Sequence, residues 1–370
     1  MGFCVFSQNL SGFKMERHLK YFFLISILLI FSTLHASDFQ RYSILPIFAY
    51  NEETQLQMGL MSLFFLEPKH PDDPISSLDF AIYGTTRKQL QILFSPDLYL
   101  YQNKIHLDTE FLYWNWVGHY YGIGNTIDYQ RYQTYDMQRF SITIPVQSSL
   151  GIPQKFDFFN YGLVWHSEHN KTQFRKSGLE LEKPNIHQGF RNALGYSLTI
   201  DTKNHPQTPS QGFYIDFEQR YYLKLFDSPF FISQHIDLRY YQYLFWNTTL
   251  ALGGLYQSTF GKAPFDMLAM PDGVKRFRGI EKGTFRDQQA LVLQTEFRRP
   301  LFWRLAGVLF YEVSKVGPYF SALYREDFHH AYGFGGRLAL NKKERIYLRS
   351  DFSIIDNKQL GITIHIREAF

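Results

Sequence analysis

The stretch QGFYIDFEQRYYLKLFDSPFFISQHIDLRYYQY, residues 211–243, decides the fold class of this chain. In its first half, apolar residues at odd positions alternate with charged residues at even positions, as in Ile215-Asp216-Phe217-Glu218. Its second half alternates in the same way, with Ile, Leu and Tyr separated by His, Asp and Arg. Successive side chains of a β-strand point to opposite faces. The pattern therefore predicts two strands that each have one apolar and one charged face.

The same alternation occurs along most of the chain after Ser37. Residues 104–113 follow it, and near the C-terminus Ile362, Ile364 and Ile366 are separated by Thr and His. A soluble β-sandwich also alternates, but its apolar faces share one core and its polar faces meet solvent. Here the apolar face continues through long strands while the opposite face carries many charged and His residues. This combination is typical of a wall between lipid and a wet lumen.

The segments with this pattern number about sixteen, and each is near the ~10 residues that a tilted membrane strand requires. We therefore predict an all-β fold, a transmembrane antiparallel β-barrel of about 16 strands. The predicted spans are 43–50, 56–66, 77–84, 88–100, 104–116, 136–150, 155–168, 187–203, 211–224, 229–243, 247–260, 289–301, 304–315, 331–341, 344–355 and 360–370.

The connections between the predicted strands differ in length in a regular way. With the N-terminus in the periplasm, each connection from an odd-numbered strand to the next even-numbered strand faces the outside of the cell. The three longest connections, 117–135, 169–186 and 261–288, are all of this odd-to-even kind. Several even-to-odd connections are tight, such as Gln102-Asn103 and Phe245-Trp246. Outer-membrane barrels combine short periplasmic turns with long outer loops. The parity of the connections therefore supports the strand count.

The composition agrees with a membrane barrel and argues against a nucleic-acid-binding protein. The chain has 370 residues and is 45% hydrophobic, yet its mean hydropathy is −0.26, so the apolar residues must be dispersed. Aromatic residues make up 18% of it, and membrane barrels use such residues in girdles at both lipid interfaces. The net charge is only +4 and the sequence has no clustered Lys/Arg stripe. We therefore expect no nucleic acid among its partners.

The N-terminal segment has the features of an export signal. An apolar run, Tyr21–Leu34, follows basic residues and precedes the small residue Ala36. This order is typical of a signal peptide, and the run is shorter than the ~20 apolar residues of a membrane-spanning helix. We predict an upstream mis-start over residues 1–14, a signal peptide over 15–36 with cleavage near Ala36, and a barrel over 37–370.

The single cysteine, Cys4, lies upstream of the predicted signal peptide. The mature chain would then have no thiol, and we expect disulfides to play no part in its stability. Backbone hydrogen bonds of a closed barrel would hold the exported protein together instead.

Residues 272–317 read DGVKRFRGIEKGTFRDQQALVLQTEFRRPLFWRLAGVLFYEVSKVG. This stretch resembles the BamA/TamA family of outer-membrane assembly barrels, also called the bacterial surface antigen family. The resemblance implies a barrel of about sixteen strands. It also implies that the long extracellular loop between strands 11 and 12 folds into the lumen, with an Arg-Gly-aromatic motif at its tip. Here the motif reads Arg278-Gly279-Ile280, with Ile in place of the aromatic residue.

The two strands after this loop carry candidate partners for Arg278. Glu296-Phe297-Arg298 resembles the family's Glu-x-Arg pattern, and Glu312 stands where the family usually has an aspartate. Both Glu residues share the even-numbered face, which points into the lumen if the leucine-rich odd face meets lipid. Burying an unpaired guanidinium is costly, and a guanidinium can bind a carboxylate with two hydrogen bonds. Glycine allows a tight turn at the tip of the loop. The predicted lumen latch comprises Arg278, Gly279, Ile280, Glu296, Arg298 and Glu312.

Further stretches resemble short members of this family that lack POTRA domains, and the likeness covers nearly all of 43–370. Only residues 37–42 precede the first predicted strand, far below the ~40 residues of a small independent domain. We therefore expect no POTRA domain here. The additional stretches are Phe48-Ala49-Tyr50 with Glu53 and Met58-Gly59, Tyr121-Gly122-Ile123-Gly124-Asn125, the turn from Asp201 through Lys203 and Pro209 to Gly212, and Gly333 to Arg337 with Asp351.

The motifs that could carry catalysis do not support an enzyme. His166 and His169 have a spacing that places them on opposite faces of a strand, and His329-His330 has the same problem, so neither pair can easily share a metal. The sequence has no Gly-x-Ser-x-Gly elbow, His-Glu-x-x-His motif or phosphate loop. An outer-membrane phospholipase would need a paired His and Ser at the lipid-facing edge, and no motif supports one. We expect no catalysis, no metal and no cofactor.

These features predict an integral protein of the cell outer membrane. Its first expected role is to aid protein or lipid assembly or translocation there, through a first and a last strand that meet weakly. Lateral opening would let an unpaired edge template a client strand. Ser43–Tyr50 is short and contains Pro46, which removes a ladder donor. The alternatives are a plugged or gated pore with loop 261–288 as the plug, and a structural surface antigen without a transport role.

The expected partners follow from this location. They are the lipid bilayer of the outer membrane, the outer-membrane assembly machinery that would insert the barrel, and client proteins or lipids. The chain ends in Phe370, in the same register as Ile362, Ile364 and Ile366. We therefore predict that Phe370 faces lipid at the membrane interface and acts as a C-terminal assembly signal.

Overall fold

A computed structural model describes residues 42–51, 54–67, 75–101, 104–149, 158–176, 181, 184–205, 208–225, 227–341, 346–366 and 368–370. The predicted mis-start and signal peptide, Glu53 and the turn Gln102-Asn103 lie outside the described residues and stay predictions. Within those ranges, no helix has the length and apolar character needed to cross a membrane.

The described chain forms one antiparallel sheet of 17 strand segments, two of which are parts of a single strand. Both Ile105–Asp108 and Glu110–Tyr120 pair with Leu90–Leu100 on one side and with Gln133–Ser149 on the other. The strands, with that pair counted once, are β1 (Tyr42–Asn51), β2 (Gln55–Leu66), β3 (Ser76–Thr85), β4 (Leu90–Leu100), β5 (Ile105–Asp108 and Glu110–Tyr120), β6 (Gln133–Ser149), β7 (Phe159–Phe174), β8 (Gly189–Asp201), β9 (Gly212–Tyr222), β10 (Phe231–Tyr243), β11 (Thr249–Gly261), β12 (Gln289–Pro300), β13 (Leu305–Gly317), β14 (His329–Asn341), β15 (Ile346–Ile355) and β16 (Gln359–Ile366).

Two prolines explain the interruption of β5 at Thr109. The Thr109 amide donates to the Pro96 carbonyl at 2.9 Å, but Pro96 has no N–H with which to return the bond. The Ser95 hydroxyl donates to the Thr109 carbonyl instead, at 3.1 Å. On the other side, the register continues to place Pro145, which also lacks a donor, opposite Asp108. The register is the same before and after the gap, so β5 acts as one strand.

Consecutive strands pair with each other, and β16 returns to β1, which closes the sheet into a barrel. The closing contact is narrow. Within the described residues, one Cα register pair, Tyr50 with Ile364, joins β1 to β16, whereas β1 and β2 share ten such pairs. The predicted all-β antiparallel barrel of sixteen strands is therefore confirmed, and each predicted span corresponds to one observed strand.

The two faces of the wall differ as the alternation predicts. On the outer face, Leu309 of β13 is 62% exposed and Leu360 of β16 is 76% exposed. On the inner face of the same part of the barrel, Glu296 and Glu312 are completely buried. Large apolar side chains therefore cover the outside, and charged side chains point into a filled lumen.

Two strands continue at least four residues beyond their predicted C-terminal ends. β5 continues to Tyr120 and β7 to Phe174, beyond the predicted ends at 116 and 168. In the extension of β7 the outward face carries polar residues such as Lys171, which is exposed. A polar outer face no longer resembles a membrane strand, yet neighbouring strands still supply the backbone hydrogen bonds. The strand therefore continues after the apolar pattern has ended.

The prediction that Phe370 faces lipid is wrong. β16 ends at Ile366, and the chain leaves the sheet. Phe370 is only 5% exposed, and its ring centroid lies 5.2 Å from the Cζ of Arg276 and 5.0 Å from that of Arg298. Alternation assigns a face only while the strand continues, so the even number of this residue carries no information here. Its role as an assembly signal stays a prediction.

We expect Leu309→Arg to lower the free energy of unfolding by about 2–4 kcal/mol, because an arginine on the outer face near the middle of β13 would have to enter hydrocarbon. Guanidinium unfolding of protein refolded into phosphatidylcholine vesicles measures this cost. Tyr324→Arg is the control, since Tyr324 is 78% exposed in the connection between β13 and β14. Its change should stay within about 0.5 kcal/mol. Equal costs for the two variants would contradict the lipid-facing assignment of Leu309.

Candidate functional site

The connection between β11 and β12, residues 262–288, lies against the inward faces of the wall, and we call it the inner loop. It contains a single 3-10 turn, Phe265–Met267. Phe277, Ile280 and Phe285 are at most 5% exposed and form one apolar cluster with inward residues of β11 to β15. The inner loop therefore has an apolar core against the wall. Ile280, where the resembling family has an aromatic residue, belongs to this core.

Arg278 is completely buried and is paired with three strands. Its Nη1 lies 2.6 Å from Oε1 of Glu296 on β12, and its Nη2 lies 2.6 Å from Oε1 of Glu312 on β13. Nη1 is also 3.2 Å from Oδ2 of Asp351 on β15. The backbone N–H of Arg278 donates to the second oxygen of Glu312 at 2.6 Å, and its guanidinium carbon is 3.7 Å from the Phe310 ring centroid. We call Arg278, Glu296, Glu312 and Asp351 the Arg278 latch.

The carboxylates of the Arg278 latch are shared with other arginines of the inner face. Glu296 lies 2.6 Å from Nε of Arg298, and Asp351 lies 2.6 Å from Nη1 of Arg337. Charges attract more strongly in such a dry interior than in water, and an unpaired one is correspondingly costly. Removing a single member would therefore leave several buried charges without compensation.

Gly279 brings the tip of the inner loop against the last strand. Its φ is 94°, in the left-handed region that favours glycine. A Cβ at Gly279 would come within 2.0 Å of the Ser353 Oγ, and a Cβ at Gly361 of β16 would come within 2.4 Å of the Gly279 Cα. The two glycines therefore allow a direct backbone contact between the loop tip and β16.

Arg276 connects the inner loop both to the wall and to the end of the chain. Its Nη2 lies 2.5 and 2.6 Å from the two carboxylate oxygens of Asp237 on β10, and its Nη1 donates to Gln294 on β12. The ring of Phe370 packs on its guanidinium, and the main-chain oxygen of Phe370 accepts a hydrogen bond from Nη2 of Arg298 at 2.9 Å. Phe370 is thus held by Arg276 of the inner loop and by Arg298 of β12.

A second ion-pair cluster anchors the beginning of the inner loop to another part of the wall. The carboxylate of Asp266 accepts from Arg191 on β8, at 2.7 and 3.1 Å, and from Arg139 on β6. Glu168 on β7 lies 2.6 Å from Arg191 and 3.3 Å from Arg139. Burial alone would raise the pKa of Asp266, but attraction to Arg191 and Arg139 lowers it. We call these four residues the Asp266 anchor.

The outer connection between β5 and β6 holds the inner loop from outside. Gly124 donates its backbone N–H to the carbonyl of Arg286 at 2.8 Å. Asn125 is buried, accepts from the Val316 amide at 2.9 Å, and donates to the Asp327 carbonyl at 2.8 Å. The motif Tyr121–Asn125, noted in the sequence for its resemblance, therefore joins two other connections on the same side.

The residues of the predicted lumen latch are not all in the same place. Arg278, Glu296 and Glu312 come together, and Arg298 binds Glu296 on the side away from Arg278. No pairing role was predicted for Asp351, and the Asp266 anchor was not predicted. One signal could have revealed both, namely charged residues at inward positions of successive strands.

His166 points inward beside Glu168. Within the described part of the chain, no three metal-ligating side chains are grouped as a metal site.

Comparison with solved structures places the fold among BamA-type barrels. The crystal structure of BamA from Haemophilus ducreyi lacking POTRA domains 1–3 matches with a TM-score of 0.58 and 13% sequence identity, over 89% of this chain and 69% of that chain. CdiB from Acinetobacter baumannii matches with a TM-score of 0.55 and 12% identity, over 89% of this chain and 60% of that one. No family model and no curated protein sequence matches the chain. The fold is therefore that of a BamA/TamA-like barrel.

We expect Arg278→Ala to lower the free energy of unfolding by about 3–5 kcal/mol, because three buried carboxylates would lose a shared cation. The matched control is Arg175→Ala, which removes an arginine whose pair with Asp136 is exposed on both sides. That change should cost at most about 1 kcal/mol. Guanidinium unfolding in vesicles compares the two variants, and a cost for Arg278→Ala as small as that of the control would contradict the latch.

Proposed function

We propose that this chain is an integral outer-membrane barrel of the BamA/TamA type that aids the assembly or translocation of proteins or lipids at that membrane. The proposed partners are the outer-membrane bilayer, the machinery that inserts the barrel, and client proteins or lipids. We propose no catalytic step. The apolar outer face and the fold shared with BamA and CdiB support the membrane location.

The observation that carries this proposal is the narrow seam between β1 and β16. One register pair, Tyr50 with Ile364, joins the two strands within the described residues. Elsewhere adjacent strands share long ladders, such as the ten pairs of β2 and β3. A strand edge with free N–H and C=O groups is a template for another strand. A barrel that separates at this seam would offer two such edges to a client.

The inner loop supports the proposal because it touches the strand that would move. The Gly279 backbone lies against Gly361 of β16, and Arg298 binds the main chain of Phe370 just after β16. Movement of β16 would therefore disturb contacts of the buried arginines. We infer that the Arg278 latch determines how easily the seam separates.

A disulfide across the seam tests the assembly role. Paired residues of antiparallel strands have Cα atoms close enough for a disulfide, so Tyr50→Cys with Ile364→Cys should lock β1 to β16 under oxidising conditions. In cells depleted of the wild-type chain, we expect this double variant to restore the levels of other outer-membrane proteins only when it is reduced. Quantitative profiling of the outer-membrane fraction measures this.

Leu60→Cys with Ile82→Cys is the matched control, because these residues are paired between β2 and β3, away from the seam. This variant should restore the profile in both redox states. Both variants should enter the outer-membrane fraction and show heat-modifiable gel migration, as a folded barrel does. If the locked seam supports a normal profile, or if depletion leaves the profile unchanged, the assembly role is refuted.

A plugged pore is the second candidate function, and the inner loop inside the barrel favours it. In planar bilayers we expect a small, steady conductance for the wild-type protein and a larger one for Arg278→Ala, because the latch holds the loop in the lumen. Arg175→Ala should conduct like the wild type. An unchanged conductance in a folded Arg278→Ala barrel would contradict the plug.

A further inference from the structure

Two neighbouring turns on one rim of the barrel repeat the same sequence and the same conformation. The turn between β10 and β11 reads Leu-Phe-Trp-Asn-Thr over residues 244–248, and the turn between β12 and β13 reads Leu-Phe-Trp-Arg-Leu over residues 301–305. In both turns the first residue donates its N–H to the carbonyl of the fifth, at 2.8 and 2.9 Å, and the fifth donates to the carbonyl of the second. Both connect an even-numbered strand to an odd-numbered one, so they lie on the predicted periplasmic rim.

The aromatic side chains of these turns project away from the barrel. Each turn carries a Phe and a Trp that are 67–72% exposed, namely Phe245, Trp246, Phe302 and Trp303. Trp246 has a φ of 55° and Trp303 a φ of 53°, in the left-handed region that is unfavourable for a bulky residue. Neither packing against the barrel nor backbone preference therefore explains a tryptophan at these positions. A contact outside the barrel would explain it.

The opposite rim shows that this backbone conformation does not require an aromatic residue. There the polar residues Lys88, Asp356 and Asn357 have φ values between 49° and 63°. On the predicted periplasmic rim, Tyr101 in the connection between β4 and β5 has a φ of 51° and is exposed, like the two tryptophans. Aromatic residues in this conformation thus occur in three connections on different parts of that rim. A soluble protein would contact one part of the rim, whereas a bilayer surrounds all of it.

The turns continue the lipid-facing surface of the wall and add a cation to it. On β12, the exposed outward residue Phe297 is followed at the next outward position by Arg299, which is also exposed. The Cζ of Arg299 lies 5.8 Å from the ring centroid of Trp246, so this arginine joins the two turns into one surface. Aromatic rings lie among the headgroups of a membrane, and arginines near its surface are attracted to anionic lipids. The surface therefore fits the headgroup region of a bilayer.

We propose that the turns 244–248 and 301–305 insert into the headgroup region of the periplasmic leaflet, and that Arg299 binds the phosphate of an anionic phospholipid there. Trp246 and Trp303 would lose their contact with water, and a guanidinium can bind two phosphate oxygens at once. The hairpins held in this way also carry carboxylates that bind the inner loop, so the bilayer would fix the part of the wall to which the loop is latched. The inference rests on the proposed membrane location and not on the assembly role.

Fluorine NMR of the full-length protein in phospholipid nanodiscs tests the depth of the turns. The chain has 5 Trp residues, which are labelled as 5-fluorotryptophan, and the resonances missing from Trp246→Phe and Trp303→Phe identify these two. We expect a water-soluble nickel chelate to relax both resonances several-fold less than that of the indole introduced by Lys176→Trp. Lys176 is an exposed residue just after β7, beyond the end of the apolar pattern. A nitroxide attached to the lipid headgroup should have the opposite effect.

Trp165 reports the membrane location separately, because it lies on the outward face of β7 and is exposed there. A nitroxide on the lipid acyl chain should relax its resonance. If it does not, the barrel is not in the bilayer and the proposed location fails. If Trp165 is relaxed but the nickel chelate reaches Trp246 and Trp303 as freely as the reference indole, the lipid contact is overturned. That result would assign the two turns to a soluble periplasmic partner instead.

Two exposed arginines provide a matched pair for the charge. Phosphatidylglycerol and phosphatidylcholine, each with a nitroxide on the same acyl carbon, are compared for their relaxation of Trp246. We expect a preference of about fivefold for phosphatidylglycerol, because one arginine near an anionic surface contributes about 1 kcal/mol. Arg299→Gln should abolish this preference, whereas Arg325→Gln, which removes an exposed arginine from the opposite rim, should retain it. No preference in the wild type, or equal losses in the two variants, would overturn the contact between Arg299 and an anionic lipid.

Discussion

Hydrocarbon offers a peptide group no hydrogen-bond partner, and the wall of this protein is built around that constraint. All sixteen strands have a paired neighbour on each side, and even the two prolines beside Thr109 leave the register intact. Between β1 and β16, one register pair closes the barrel within the described residues. The proposed function is placed at this seam.

Inside the barrel the governing problem is charge. The inner faces of β12, β13 and β15 present carboxylates, and the inner loop brings Arg278 to them. The inner faces of β6 and β8 present arginines, and the same loop brings Asp266 to them. Asp266 near the beginning of the loop and Arg278 at its tip thus each carry the charge that complements the wall they meet. Because buried charges are costly when unpaired, this complementarity holds the loop in the lumen.

The loop and the seam are connected through the end of the chain. Phe370 leaves the wall and packs on Arg276 and Arg298, and Gly279 lies against Gly361. In the proposed mechanism, separation of β16 from β1 would disturb these contacts and so depends on how firmly the loop is held.

The strand pattern and the strand count could be predicted from the sequence, because alternation assigns each residue of a strand to one face. The pairing of Arg278 with Glu296 and Glu312 was predicted from the resemblance to the BamA/TamA family, together with the shared inward face of the two glutamates. Alternation fails where a strand ends, which is why Phe370 was placed on the wrong side. It also cannot tell which inward charges are neighbours, because those contacts depend on register and on the path of a loop without periodicity. The tertiary structure alone decided that Asp351 joins the Arg278 latch and that Asp266 meets Arg191.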